Sequence, residues 1–364
     1  MTISGEHSYR RLIFCTDSSS APPERSSNLK ELSMYCRFLR VVGLVMAACL
    51  LLAGATTAQA RPYKIGMIHW IAYSPLNVAD VKGFWKTLGL EVEVVNFGSN
   101  QELNGALEHK RIDIACDMMG SWVGMYMAGA PLKIVAETDW SFGGDKIIVK
   151  KGVTPEQLKG STVGIYLNQP SVTYFLNKYL ASINVPLKDA QLVELEPEAL
   201  ADNFISGRFQ AIVNYDPQAL RAERDGGGEV IATSASWEGV IPEGLVARAD
   251  VLAEIPREDL IKVIQGWAQA VEWSKDSANW AEYMTILNEK TFEGEAPYSE
   301  ADLKAMLDSV RIHSRAEQLA RNKDGLRQYL VDLHAFLKEN GMLTKEFAPE
   351  DLLAADVAVD ALSR

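Results

Sequence analysis

Two stretches of the sequence follow one plan, and they decide the fold. KIGMIHW (64–70) leads, past Ser74-Pro75, to ALEHKRIDIACD (106–117). TVGIYLNQPS (162–171) leads in the same way to NFISGRFQAIVNYD (203–216). From Gly66 to Ile112 is 46 residues, and from Gly164 to Phe209 is 45. Each stretch opens on a short apolar run and continues through a Ser/Pro loop. Each returns through a helix followed by an Arg (Arg111, Arg208) that runs straight into a second apolar run. Matched spacing and matched loop chemistry predict two lobes of one design.

Around these stretches, β-like runs alternate with helical ones. Strands are predicted at 63–68, 90–97, 112–116 and 132–137, with helices at 75–88 and 101–108 between them. The second series has strands at 162–166, 191–195 and 210–213, with helices at 171–183 and 197–206. This βαβαβ order predicts an α/β fold with mostly parallel sheets flanked by helices. After a returning strand at 244–247 the chain turns helical, at 257–275, 277–290, 299–309 and 324–340. The capping-box start Ser299-Glu300-Ala301-Asp302 opens one of these helices. Trp267, Trp273 and Trp280 lie in this part and are expected to pack in the core.

The first sixty residues differ from the rest. Residues 41–60 carry no charge and follow Arg37 and Arg40; the apolar stretch 41–55 ends in Ala58-Gln59-Ala60. A basic start, a short apolar centre and a small-residue cleavage site make a secretory signal peptide over 34–60, cut before Arg61. An alternative is a lipoprotein anchored at Cys49. Residues 1–33 read as a non-native or disordered extension before a start at Met34. Removing the six basic and four acidic residues before Arg61 from totals of 36 and 48 leaves 30 and 44, a net charge of −14. Such acidity speaks against binding nucleic acid. Of four cysteines only Cys116 remains after cleavage, so no internal disulfide is available, and Cys116 is expected in the core.

In open α/β sheets ligands bind beyond the carboxyl ends of the strands. The loops there carry Trp70 and Ser74, Asn100, Met119, Ser121 and Trp122, Asp139, Trp140 and Ser141, Asn168 and Ser171, and Asn214, Tyr215 and Asp216. These are the candidate ligand-binding residues. Ser74, Asn100, Ser121 and Ser171 read as helix N-caps, where free N–H groups can hold an anionic group. Asp139, Asp216 and Asp117 are placed to hold an ammonium, and Trp70, Trp122, Trp140 and Tyr215 to stack on a flat or cationic ligand. Asp145 reads as a hinge or turn residue rather than a ligand contact. The loops contain no Lys or Arg. No catalytic residue and no metal site is expected: His69, His109, His313 and His334 lack zinc spacing, and the phosphate-loop, dinucleotide and nucleophile-elbow motifs are missing.

The segments GFW…GLEVEVV (83–95), ALEHKRIDIA (106–115), AGAPLKIVAETDWSFGGD (128–145), LKGSTVGI (158–165) and SGRFQAIVNYDP (206–217) together resemble the nitrate/sulfonate/taurine (NitT/TauT) family of ABC-importer substrate-binding proteins. The resemblance implies a two-lobed type II periplasmic binding-protein fold with a two-segment hinge. Lobe 1 would comprise 61–147 and 245–364, including the C-terminal helices, and lobe 2 would comprise 148–244. It also implies a periplasmic monomer without a cofactor, serving an ABC permease and its ATPase. Asp139, Ser141, Ser121, Ser171, Tyr215 and Asp216 fall at the family's ligand-facing positions. Many sulfonate-binding members carry a Trp before the Pro of the last loop, where this chain has Asn214-Tyr215-Asp216-Pro217. The extra carboxylate shifts the expected ligand from a plain anion toward a taurine- or alkanesulfonate-like compound. A thiamine-pyrimidine-like heterocycle or another amine is the alternative. An enzyme on the same fold and a receptor-docking sensor are the competing functions.

Overall fold

The computed structural model describes residues 61–166 and 170–364. The expected extension, the signal peptide, Cys49 and Asn168 lie outside the described residues. Residues 61–364 form one unit containing two sheets. The first uses β1 (Tyr63–Ile68), β2 (Val92–Phe97), β3 (Ile114–Met118) and β4 (Leu132–Ser141). The second uses β5 (Asp145–Lys150), β6 (Thr162–Tyr166), β7 (Gln191–Leu195), β8 (Ala211–Tyr215) and β9 (Gly228–Thr233). The chain then returns to the first sheet with β10 (Pro242–Arg248) and β11 (Val310–Ile312). The strand orders are β11-β4-β10-β3-β1-β2 and β7-β6-β8-β5-β9. Parallel pairing, expected for most of each sheet, is confined to β2-β1-β3 and β7-β6-β8; β4, β5, β9, β10 and β11 pair antiparallel. The antiparallel strands are those that cross between the sheets or return.

Strands β1 and β6 lie between parallel neighbours and are buried on both faces, which is why they read as continuous apolar runs. Helix α1 (Ser74–Val81) and the short turn Phe84–Thr87 replace the single helix expected over 75–88. Gly83 breaks it with φ = +66°, a conformation an L-residue resists. Helices α2 (Asn100–Glu108) and α3 (Met119–Met127) complete the first half. Helices α4 (Pro170–Ser182) and α5 (Pro197–Ile205) complete the second. Helix α6 (Gln218–Gly226) follows β8, and α7 (Arg257–Lys275), α8 (Trp280–Ile286), α9 (Glu300–Asp308) and α10 (Leu326–Glu339) cover the first sheet's side. Ser299 caps α9 by accepting from the Asp302 N–H, as its sequence predicts. Trp267 is fully buried in the core, while Trp273 and Trp280 are partly buried against it. Cys116 is buried and unpaired.

Two segments join the sheets, residues 142–144 and 234–241. They are tied together: Ser141 Oγ meets Ser234 Oγ at 2.9 Å, and the Gly143 N–H donates to Ser234 Oγ at 2.8 Å. The Phe142 and Gly144 N–H groups both donate to the Ser309 carbonyl at 2.9 Å. Gly143 sits at φ = +117°, and a Cβ on Gly144 would lie 2.5 Å from the Trp70 ring. The joining strand is thus pressed against the carboxyl end of β1.

Candidate functional site

The carboxyl ends of the strands from both sheets converge on one narrow space. Trp70 and Tyr73 follow β1, and Asp117 and Met118 end β3. Tyr166 ends β6, Tyr215 ends β8, Asp145 opens β5 and Glu243 lies near the start of β10. The empty space among them is about 230 Å³, of which about 10 Å³ can hold the centre of a water-sized sphere, so it has room for about one water. The rings meet edge to face: Tyr215 lies 5.6 Å from Trp70 and 5.1 Å from Tyr166, at 80° and 77°.

Three carboxyl groups face this space, and none of the described residues lining it is a Lys or Arg. Asp117 accepts from the Met118 N–H at 2.8 Å, Asn100 Nδ2 at 2.7 Å and Ser121 Oγ at 3.0 Å. Burial nevertheless outweighs these donors and pushes its carboxyl up to about 6. Asp145 takes a hydrogen bond from the Tyr166 hydroxyl, and burial likewise raises it to about 6. Glu243 accepts the Trp70 indole N–H at 2.7 Å. Strand register sets Glu243 opposite Asp139, and the two carboxyls are within hydrogen-bonding reach. Burial first, and the Asp139 charge second, push Glu243 well above the usual carboxylate range, while burial raises Asp139 to about 6. Both members of the pair are therefore shifted toward the protonated form.

Of the candidates read from sequence, Trp70, Asp117 and Tyr215 line the space. Asn100 and Ser121 stand behind it as donors to Asp117. Asp139 stands behind Glu243; its Oδ2 accepts from Thr138 Oγ1 at 2.7 Å. The expected helix caps are placed differently. Ser99, not Asn100, caps α2 by accepting from the Glu102 N–H. Ser74 is the first residue of α1, and its Oγ is shared between the Ile71 carbonyl and the Tyr283 hydroxyl. Ser121 lies inside α3, and Ser171 lies inside α4 with its Oγ 2.5 Å from the Tyr329 hydroxyl.

The ammonium expected at Asp216 comes from the protein itself: Lys146 Nζ lies 2.9 Å from its carboxylate. The loop reading stopped at Asp145 and did not include this lysine. Asn214 is buried, donates to the Pro197 carbonyl at 2.9 Å and accepts from the Tyr215 N–H at 3.0 Å. Met119 and Trp122 are fully buried in the core. Trp140 does not line the space. It donates to Glu137 Oε1 at 2.7 Å and packs against His313 and Arg321. Buried Glu137 is held below the ordinary range by His313 and Arg321 in spite of its burial. Ser141 belongs to the joining segment, where it bonds Ser234.

Sequence reasoning missed Glu243, Tyr73 and Tyr166. It also read Asp145 as a hinge residue only, whereas Asp145 both donates its N–H to Ser141 Oγ at 3.0 Å beside the joining segment and faces the space. A signal was present for Glu243: a carboxylate beside Pro242 at the start of an otherwise apolar run. Among the described residues no cluster of three or more His, Cys, Asp or Glu is arranged to hold a metal. No helix among them is long and apolar enough to cross a membrane.

Residues 56–288 match the NMT1-like family. The chain belongs to that family. A curated relative, the putative binding protein YtlA of Bacillus subtilis, is 27% identical over 224 residues, covering 56% of this chain and 63% of YtlA. The bicarbonate-binding protein CmpA of Synechococcus sp. is 24% identical over 277 residues, covering 66% of this chain and 60% of CmpA. The chain thus spans about six tenths of the length of these relatives. Among solved structures, the alkanesulfonate-binding protein SsuA of Xanthomonas axonopodis pv. citri bound to MOPS matches with a TM-score of 0.64 and 18% identity, covering 82% of this chain and all of that one. At this identity the match concerns the fold, and the fold of this NMT1-like chain is that of a periplasmic binding protein. The printed names give bicarbonate for CmpA and an alkanesulfonate for SsuA, and no solute for YtlA. At the strand ends of this NMT1-like chain stand the aromatic rings and carboxyl groups described above.

Proposed function

We propose that this protein is the solute-binding component of an ABC import system. It captures a small organic nitrogen compound between the two sheets and delivers it to a permease and its ATPase. The observation that carries the choice of solute is the lining: three buried carboxyl groups and four aromatic rings, without a basic side chain among the described lining residues. Such a surface suits an ammonium or a nitrogen heterocycle. A sulfonate end finds no basic partner there, so a taurine-like zwitterion would have to enter by its ammonium end. The edge-to-face rings favour a second reading, a flat heterocycle resembling the pyrimidine of thiamine.

The space is too small for such a solute as the sheets now stand. Binding therefore requires the sheets, acting as lobes 61–147 with 245–364 and 148–244, to part about residues 142–144 and 234–241 and close again. The protein acts by binding and not by catalysis, as a periplasmic monomer released by cleavage before Arg61 or held by a lipid on Cys49.

The test is mass spectrometry of compounds released from the purified protein, followed by thermal-shift titration with amines, sulfonates and pyrimidines. A true solute at 100 times its Kd adds about 2.7 kcal/mol. No stabilisation by any of the three classes, and no co-purifying compound, would sink the reading.

A further inference from the structure

Glu243 has an arrangement that a structural carboxyl does not need. It is 2% exposed, lines the space between the sheets and takes the Trp70 indole N–H on one oxygen. Its other side faces Asp139, itself fully buried, whose Oδ1 finds no hydrogen-bond donor among the described residues apart from the proton this pair shares. Arg321 is taken by Glu137 at 2.7 Å. Lys146 is taken by Asp216 and Glu223. A buried carboxyl pair shifted toward the protonated form, with these cations taken elsewhere and opening onto an aromatic-walled space, is half of an ion pair.

We propose that Glu243, backed by Asp139, receives the positively charged end of the solute, and that the cation enters in exchange for the proton the pair holds. This rests on the solute-binding reading above and specifies the charge of the solute. In the empty protein the Glu243 carboxyl carries the proton and donates to Asp139. When an ammonium arrives, the O–H bond of Glu243 breaks, the proton leaves to solvent, and the carboxylate pairs with the cation. No bond to the solute forms and no electron moves, so one charge replaces another. The Trp70 indole N–H steadies Glu243 in both states, and the faces of Trp70 and Tyr215 complete the cation's surroundings.

Other titratable groups face the pair from each packed element: Asp145 on β5, Asp117 on β3, Tyr73 after β1 and Tyr166 on β6 on the open side. Glu137 on β4 and His313 after β11 lie behind Asp139. Glu137 is already paired with Arg321 and His313, and of the three carboxyls lining the space Glu243 is the one that strand register sets opposite a second buried carboxyl, so a cation there offsets the charge of both.

The test is calorimetric titration of the chain from Arg61 with methylammonium, tetramethylammonium, methanesulfonate and nitrate. Each is measured at pH 7 in phosphate and in Tris, whose ionisation heats differ. The expected result is that a cation binds, releases about one proton and binds more tightly at pH 8 than at pH 6. Glu243→Gln keeps the neutral geometry, with the amide donating to Asp139. It should melt as the wild type does while weakening cation binding at least about tenfold. Should Glu243→Gln fail to fold, the proton count of the wild type decides alone. Cation binding without proton release overturns the exchange. Binding of methanesulfonate or nitrate but of neither cation overturns it while leaving the solute-binding reading intact. Binding of none of the four removes both.

Discussion

The two βαβαβ halves match almost residue for residue, and they differ where it matters. Gly66 on β1 pairs with Ala115 on β3, and Gly164 on β6 pairs with Ile212 on β8. Two residues further along the third strands stand Asp117 and Asn214. Each accepts the N–H of the next residue on its side-chain oxygen, at 2.8 and 3.0 Å. Each also ties its strand to the start of the half's second helix, through Asn100 in one half and the Pro197 carbonyl in the other. The backbone task is the same. In the first half the acceptor is a carboxyl facing the space between the sheets; in the second it is a neutral amide. The following carboxylate of the second half, Asp216, is neutralised by Lys146. At this matched position the first half thus carries a carboxyl and the second a neutral amide, while the second sheet brings its own carboxyl, Asp145, to the space from β5.

Exchanging the two residues tests this most severely. Asn214→Asp would set a buried carboxylate against the Pro197 carbonyl, where its ladder partner Lys146 is already held by Asp216 and Glu223. We expect a loss of about 3 kcal/mol or more at pH 7 in urea unfolding, partly recovered at pH 5, where the acid is protonated and can donate. Asp117→Asn should cost less, about 1 kcal/mol, because the Asn100 amide can turn to accept from the new one. Equal losses from the two changes would mean that the halves are not built alike.

The buried carboxyls also give the protein an unusual pH profile. Asp117, Asp139 and Asp145 are each raised to about 6 by burial. The folded state thus binds protons more readily than the unfolded chain. Their contribution is complete below about pH 4 and is lost as pH rises through 6. Glu137 and Glu317 shift the other way, Glu317 to about 2 under Arg311 and the Ser314 N–H. Their contribution is present above the ordinary carboxylate range and is lost as pH falls below it. Stability should therefore peak near pH 4, where both contributions are largely present, with a melting temperature several degrees above that at pH 8. One group raised from 3.8 to about 6 is worth about 3 kcal/mol, so Asp145→Asn should visibly flatten the alkaline limb. A melting temperature independent of pH between 5 and 8 would contradict the burial of these acids.

The shared design is tested by the paired glycines. A Cβ on Gly66 would lie 2.6 Å from Ile112 Cδ1 and 2.8 Å from Leu103, and one on Gly164 would lie 2.7 Å from Leu200 and 3.0 Å from Phe209. Gly66→Ala and Gly164→Ala should each destabilise by about 1–3 kcal/mol, Gly66→Ala somewhat more, with neither touching the site. Chemical denaturation of the two variants side by side reads the difference.

These glycines were legible in the sequence, and so were the bounds of β1, β6, β7 and α7, because periodicity and spacing are local. The charge layout was legible only in part. Asp139 and Tyr215 stand at strand ends that a local reading finds. Glu243 became visible only through a register joining strands about a hundred residues apart, beside a proline that made the strand seem to start later. Lys146 was hidden for a similar reason: it sits one residue inside a strand that the sequence did not announce, and its partner arrives from β8. The helix-cap readings failed by one to three positions, as at Asn100, where Ser99 and Asn100 are both good caps and only the backbone chooses between them.

The smallest effect on stability, and the most specific one, should come where the halves touch. Gly120 in α3 lies against the start of α4, and a Cβ there would stand 2.3 Å from the Ser171 backbone N and 2.4 Å from its Oγ. Backbone cannot withdraw as a side-chain tip can, so Gly120→Ala cannot be accommodated with the sheets as close as they stand. Each half keeps its own core, and alanine favours the helix, so urea unfolding should change by less than about 1 kcal/mol. The contact between halves should instead be lost. The variant would show a larger radius of gyration in solution scattering than the wild type and weaker binding of whatever solute the wild type retains. Unchanged scattering and unchanged binding would mean that the approach of α3 to α4 is not part of closure, and that other contacts hold the halves together, among them the Trp70, Tyr166 and Tyr215 rings and the Ser171–Tyr329 hydroxyl pair.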